Sequence, residues 1–265
     1  MTALVQRRDY LAGQRRTIIA RALLGSLAGA VPIPFLDDWA VGAIVGGGYR
    51  RIAEAHHVDV SDQAVANLVH GKSSPPRIAE IAAAGVISRV ASRAATRMML
   101  VLATVNRARA ASGNFVRMTL FDHYCAKLHT GLALDGETAM ALREEISRTL
   151  DVTPGALAFH PFRRAVLQAA KATVRAPLEL ADLASGGRLR KLLANKSSDV
   201  AEPQSVDALE RVMEEALAEK TNFLSRAVAS VEVQLSSEAN PYLDAAIDSL
   251  DRRWRARLAA KSDRS

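Results

Sequence analysis

The stretch AVPIPFLDDWAVG, residues 30–42, sets two prolines and two adjacent acids between two strongly apolar arms. Proline removes an amide donor and turns the preceding residue away from helix, so Pro32 and Pro34 stop the first arm, residues 17–31. Asp37 or Asp38 then opens the second arm, residues 39–49. A carboxylate there accepts hydrogen bonds from the free amides of the first turn and complements the positive end of the helix dipole. Pro32, Pro34, Asp37 and Asp38 therefore read as a structural turn. An acid-base role for the two carboxylates is the weaker reading, because consecutive side chains on a helix diverge by about 100°.

As helices the arms measure about 22 Å and about 16 Å. A hydrocarbon core of about 30 Å needs about 20 residues per span, so neither arm crosses a bilayer alone. Arg15-Arg16 precede the first arm and Arg50-Arg51 follow the second, which would hold both outer ends on the cytoplasmic side. A membrane version is then a shallow re-entrant or interfacial hairpin, with Asp37 and Asp38 at its deepest point, where charge is costly. The alternative is a hairpin buried in protein, with Gly25, Gly29, Gly42 and Gly46 allowing close helix approach.

Periodicity along the rest of the chain is helical, and no alternating run of β-branched residues stands between turn signals. The expected class is all-α, a multi-helix bundle. Composition agrees: 49% hydrophobic but only 5% aromatic, with Ala, Val and Leu supplying the apolar mass. The chain is long enough, at 265 residues, to bury a substantial core. Its single cysteine, Cys125, excludes an internal disulfide and an all-cysteine metal site. The arginine-bearing start MTALVQRRDYLAGQRR lacks the layout of a cleaved signal peptide, and a cytoplasmic setting is expected.

Residues 1–110 hold fourteen Lys or Arg against seven acids, so the whole net charge of +7 resides there; the remainder balances at 21 of each. Within that part a long helix is expected from Arg77 to about Ala111, with Arg89, Arg93 and Arg97 on one ridge at four-residue spacing. Like charges so spaced destabilise a helix unless an anion offsets them. Arg15, Arg16, Arg50, Arg51, Arg89, Arg93 and Arg97 are the candidates for membrane or anion contact, internal pairing being the plainer role of the ridge. Nucleic acid ranks below lipid, because no recognition module or stacking aromatics accompany the charge.

Further along, Gly46-Gly47-Gly48 ends the second arm and Ser61 caps the segment DQAVANLVHG after the turn Val58-Asp59-Val60-Ser61. GKSSPP from Gly71 and Ala111-Ser112-Gly113-Asn114 read as breaks. Thr153-Pro154 starts a further helical segment reaching RLRKLLANK. Residues 1–196 form a helical body, 197–205 a linker, and 206–265 a helical tail whose apolar stripe reads as a two-helix hairpin or short coiled coil, packed on the body or on another copy. A faint echo between the segments starting at Arg21 and Arg164 is no more than an Ala- and Leu-rich chain produces by chance.

Two motifs point at chemistry. GKSS, residues 71–74, has the end of a phosphate loop but not its first glycine, its preceding strand or its following helix. Asp122, Cys125 and His129 stand at i, i+3 and i+7, the weak metal candidates of the chain. No second cluster supplies a complementary pair, although His56, His57 and His123 could contribute in space, so no metal or other cofactor is expected, and no neighbouring base activates Cys125 as a nucleophile.

The run AVPIPFLDDWAVGAIVGGGYRRIAEAHHVDVSD resembles the start of the helical domain of unknown function found beside YcjF-type bacterial GTPases, and more distantly EcsC-like proteins. In that order recur an apolar helix, a Pro-x-Pro turn with a following Asp, a second apolar helix, and tyrosine, glycine, valine, then Asp-x-Ser. Pro32, Pro34 and Asp37 match the first motif and residues 58–61 the last; His56-His57 replaces the tyrosine and glycine. The resemblance covers about residues 17–130 and implies a bacterial helical domain with suspected membrane association, here without the GTPase. The expected function is a non-enzymatic interaction or scaffold module, peripheral at the inner face of the cell membrane, with a protein partner or a second copy and anionic lipid as its contacts. The alternatives are a soluble homo-oligomer assembled through the C-terminal helices, and a metal-dependent enzyme around Asp122, Cys125 and His129. No small-molecule substrate is identified.

Overall fold

The computed structural model describes residues 8–28, 36–71, 93–157, 161–162, 223–237 and 241–263. Within them a 3-10 turn (Asp9–Leu11) leads into α1 (Ala12–Ala28), followed by α2 (Leu36–Ala55), β1 (Asp59–Val60) and α3 (Asp62–His70). Then come α4 (Arg93–Lys127), β2 (Ala133–Leu134), α5 (Gly136–Val152), a 3-10 turn (Pro154–Leu157), α6 (Phe223–Ser237) and α7 (Pro241–Ser262). The class is all-α.

The described parts of the two apolar arms are buried in the protein core. Ile18, Ile19, Ala22 and Leu23 of α1 and Ile44, Val45 and Tyr49 of α2 all lie inside it. The helices run antiparallel and close: a Cβ on Gly25 would stand 3.0 Å from Val45 Cγ2, and one on Gly48 3.0 Å from Arg21 Cδ. No helix of the described residues is long and apolar enough to cross a membrane. Pro32 and Pro34 fall outside the described residues, while Asp37 and Asp38 lie in the first turn of α2.

Two expected breaks are absent. α2 continues through Gly46-Gly47-Gly48 to Ala55, and α4 continues through Ala111-Ser112-Gly113-Asn114 to Lys127. The reason is tertiary. Glycine interrupts a helix weakly, by about 1 kcal/mol against alanine, and here the missing side chains let neighbouring elements approach, Val65 against Gly46 and Met118 against Gly48. α4 threads the core as a 35-residue rod, carrying the buried Phe115, Met118, Leu120, Phe121 and Tyr124.

Local signals elsewhere hold. Ser61 accepts from the Ala64 amide at the start of α3, and Asp135 from the Thr138 amide at the start of α5; such caps each stabilise by about 1 kcal/mol. Just before each cap, β1 and β2 pair in parallel, Asp59 with Ala133 and Val60 with Leu134. Asn67 ties the same two helices together by donating to the Gly136 carbonyl at 2.8 Å. The pair of two-residue strands was not expected from periodicity, since two residues are too few to show alternation.

α2 ends at a sharp reversal. The Val58 amide donates to the Ala53 carbonyl and the His57 amide to the Glu54 carbonyl, with His57 itself at φ 57°. This is a Schellman stop, whose left-handed position is most often glycine.

α6 and α7 join the same core. Val228 and Val231 on α6 and Ile247, Leu250 and Trp254 on α7 are buried in it, and Trp254 meets Tyr124 edge-on at 5.0 Å between ring centroids. α6 packs on α1, and α7 on α5, α4 and the second 3-10 turn.

Candidate functional site

Among the described residues a buried polar constellation sits where α4 passes between α2, α7 and the N-terminal turn. Asp122 and His123 are consecutive on α4. Asp122 is fully buried, with its Oδ1 2.5 Å from His56 Nε2 and its Oδ2 without a hydrogen-bond partner. His56 is half-buried at the end of α2, so the Schellman stop aims it at α4. Burial holds the Asp122 carboxyl above its ordinary range, against the opposing hydrogen bond and charge of His56.

His123, also buried, is gripped on both ring nitrogens. Tyr10 Oη lies 2.6 Å from Nδ1, and Asp251 Oδ1 2.8 Å from Nε2. An ionised carboxylate only accepts, so Nε2 carries the imidazole proton and donates to Asp251. In the neutral ring Nδ1 is then the acceptor, and the Tyr10 hydroxyl donates to it. Burial lowers the His123 pKa against the pull of Asp251, and the Arg8 charge lowers it further.

Arg8 extends the clasp along α7, with Nη2 2.7 Å from Asp248 Oδ1. Its Nε stands 3.2 Å from Asp244 Oδ1, an ion pair by distance without hydrogen-bond alignment. Lys127 Nζ lies over the Tyr10 ring at 5.0 Å, and Arg255 pairs with Asp251 at 2.9 Å.

The three weak metal candidates do not converge. Asp122 turns to His56. Cys125 is buried, and burial, then the Asp122 charge, drive its thiol far above the ordinary thiol range. His129 lies past the end of α4, where the amides of Leu128 and His129 both return to the Tyr124 carbonyl, and its Nδ1 meets Tyr124 Oη at 3.1 Å. Helical i+7 spacing therefore does not apply to it. Among the described residues no group of three His, Cys, Asp or Glu side chains is arranged to hold a metal ion. The hydroxyls facing the imidazoles are the phenols of Tyr10 and Tyr124, which burial pushes toward higher pKa, the reverse of what a nucleophile needs.

The arginines singled out by sequence divide. The antiparallel register of α1 and α2 sets Arg15 and Arg16 at the same end as Arg50 and Arg51. Arg16, Arg50 and Arg51 are exposed and Arg15 partly so. Arg16 donates to Ser225 Oγ at 3.3 Å, Arg50 to Asp62 Oδ1 at 2.9 Å, and Arg51 pairs with Glu54 at 3.6 Å. Arg93 and Arg97 lie in the first turns of α4, and Arg89 is outside the described residues.

Sequence reading missed Tyr10, His56, His123 and Asp251 as one constellation. Their pairings span 66 to 128 positions, and the local trace was the Asp122-His123 dipeptide flanked by the apolar Leu120, Phe121, Tyr124 and Cys125. No family model, curated protein or solved structure matches the chain.

Proposed function

We propose that this chain is a helical interaction module that meets an anionic surface at the cytoplasmic face of a membrane by charge, without inserting its apolar arms. One observation carries the reading. The described apolar side chains of the arms face the core, while Arg16, Arg50 and Arg51, with Arg15 in part, face solvent at the open end of the α1–α2 hairpin. Each exposed Lys or Arg near an anionic bilayer contributes on the order of 1 kcal/mol. The ion pairs of Arg50 and Arg51 involve exposed acids, and such pairs are worth about 0–1 kcal/mol, so a surface of higher charge density competes for them. The polar constellation on α4 supports an architectural role, because its groups tie α2, α4, α7 and the N-terminal turn together. The resemblance to the helical domain beside YcjF-type GTPases points the same way.

Flotation of the purified protein with phosphatidylcholine vesicles, with and without phosphatidylserine, tests this. Binding should require the anionic lipid, fall steeply with salt, and weaken when Arg15, Arg16, Arg50 and Arg51 are changed together to Gln. Salt-resistant flotation, or unchanged affinity of that variant, overturns the proposal.

A further inference from the structure

Arg8 and the 3-10 turn Asp9–Leu11 lie on α1 and α4. Leu11 is buried there and Tyr10 half-buried. Polar contacts complete the hold: Tyr10 Oη stands 2.6 Å from His123 Nδ1, Arg8 Nη2 2.7 Å from Asp248 Oδ1 and Arg8 Nε 3.2 Å from Asp244 Oδ1. Gly13 follows at the second position of α1. A Cβ there would meet nothing within 4 Å, so this glycine, unlike Gly25 and Gly48, serves no close approach. It only loosens the first turn of the helix, directly behind the held residues.

His123 is dry beneath the turn, its side chain 4% exposed. The charged and titratable groups around it come from three elements. The turn supplies Arg8 and Tyr10. On α4, Asp122 stands next to it, engaged with His56 of α2, and Lys127 lies over the Tyr10 ring at 5.0 Å. On α7, Asp251 holds Nε2, itself paired with Arg255, while Asp244 and Asp248 hold Arg8. Burial and then Arg8 oppose a second ring proton, Asp251 and Asp248 favour it, and the balance lowers the His123 pKa.

A second proton also turns Nδ1 from acceptor into donor. The Tyr10 hydroxyl can then no longer donate to it, and a buried charge needs water. Water reaches the ring by lifting α7, which exposes Ile247, Leu250 and Trp254, or by lifting the turn, which exposes Leu11 and the rest of Tyr10. The second opening uncovers much less apolar surface and comes first.

We propose that residues 8–11 are a pH-operated strap, hinged at Gly13 and latched by Tyr10 on His123, that lifts from α4 and α7 when His123 takes a second ring proton. Lifting frees Arg8 from Asp244 and Asp248 and wets the face of α4 around His123. The strap does not depend on the membrane reading. Because the docked ring holds the proton less well than an ordinary imidazole, the strap is closed above about pH 6.5 and opens progressively below it.

Hydrogen exchange of the full chain, read by mass spectrometry at pH 5.5, 6.5 and 7.5 and divided by the intrinsic chemical rates, tests this in wild type, His123→Gln and Gly13→Ala. The reporter is the Leu11 amide, which donates to the Arg8 carbonyl at 3.0 Å; peptides from α4 and α7 are the reference. From pH 7.5 to 5.5 the wild-type protection of the turn should fall by about three- to tenfold, with α4 and α7 steady. His123→Gln should abolish the dependence on pH. Gly13→Ala should keep it, with protection of the turn raised about three- to fivefold at each pH. That variant retains the histidine and favours the helix, so the test stands even where His123→Gln does not fold. Flat wild-type protection of the turn overturns the strap, as does an equal loss in α7 or a pH response retained by His123→Gln. Unchanged protection in Gly13→Ala overturns the hinge.

Discussion

Asp122 and His123 are neighbours on α4 and serve different helices, Asp122 joined to His56 of α2 at 2.5 Å and His123 to Asp251 of α7 at 2.8 Å. Their proton affinities are perturbed in opposite senses relative to stability. Asp122, raised in the folded chain, stabilises below the ordinary carboxylate pKa and loses that contribution as pH rises through its raised value. His123, lowered in the folded chain, stabilises above the ordinary imidazole pKa and loses that contribution as pH falls toward its depressed value.

Urea unfolding between about pH 5.5 and 7.5, a window centred on the ordinary histidine pKa, should therefore show stability falling toward acid. In His123→Gln the slope should shrink. His129, also lowered chiefly by burial, keeps part of it. An unchanged slope would remove His123 from the account.

Removing the Tyr10 hydroxyl strands a buried nitrogen. Tyr10→Phe leaves His123 Nδ1 without its donor and should destabilise by about 1–3 kcal/mol. The measurement is the denaturation midpoint at neutral pH, and no change would mean that the N-terminal turn is not held through this bond.

Much of the architecture was legible because it is written locally. Ser61 announces α3, and the apolar arms announce a helical hairpin, without deciding between lipid and protein as its cover. What failed was punctuation by glycine. Gly46-Gly47-Gly48 and Gly113 read as stops, yet the close contacts of Val65, Met118 and Arg117 convert them into places of contact inside continuous helices. The polar constellation was illegible for another reason. Asp122, Cys125 and His129 share a spacing, but the partner that Asp122 takes is 66 positions away, and a helix end before His129 undoes the spacing.

His57 offers a stabilising change. It occupies a left-handed position that costs an L residue roughly 1–2 kcal/mol. His57→Gly should raise stability by about 0.5–1 kcal/mol, and His57→Val, β-branched at positive φ, should lower it. Thermal melting of the two variants decides it; equal Tm values would refute the strain.

Trp254→Ala should be severe. The ring is buried edge-on against Tyr124, and its truncation should lower stability by about 3–5 kcal/mol in denaturant titration. A loss near zero would show that α7 is dispensable to the core.

Cys125 should be silent in the native protein. Buried and driven toward the neutral thiol, it should resist a disulfide reagent such as 5,5′-dithiobis(2-nitrobenzoic acid) until denaturant is added. Prompt native labelling would contradict its burial.

The parallel bridge between Asp59–Val60 and Ala133–Leu134 has a consequence for how the chain comes together. Each strand is preceded by a long helix and followed by a capped, amphipathic one, and because the strands run the same way, the second helix–strand–helix unit lies beside the first much as successive turns lie in a solenoid. Units related in that manner cover each other's apolar faces and leave their own bare when separated. Neither residues 36–71 nor residues 93–152 expressed alone would hold its shape, and mixing the two would be needed to recover it.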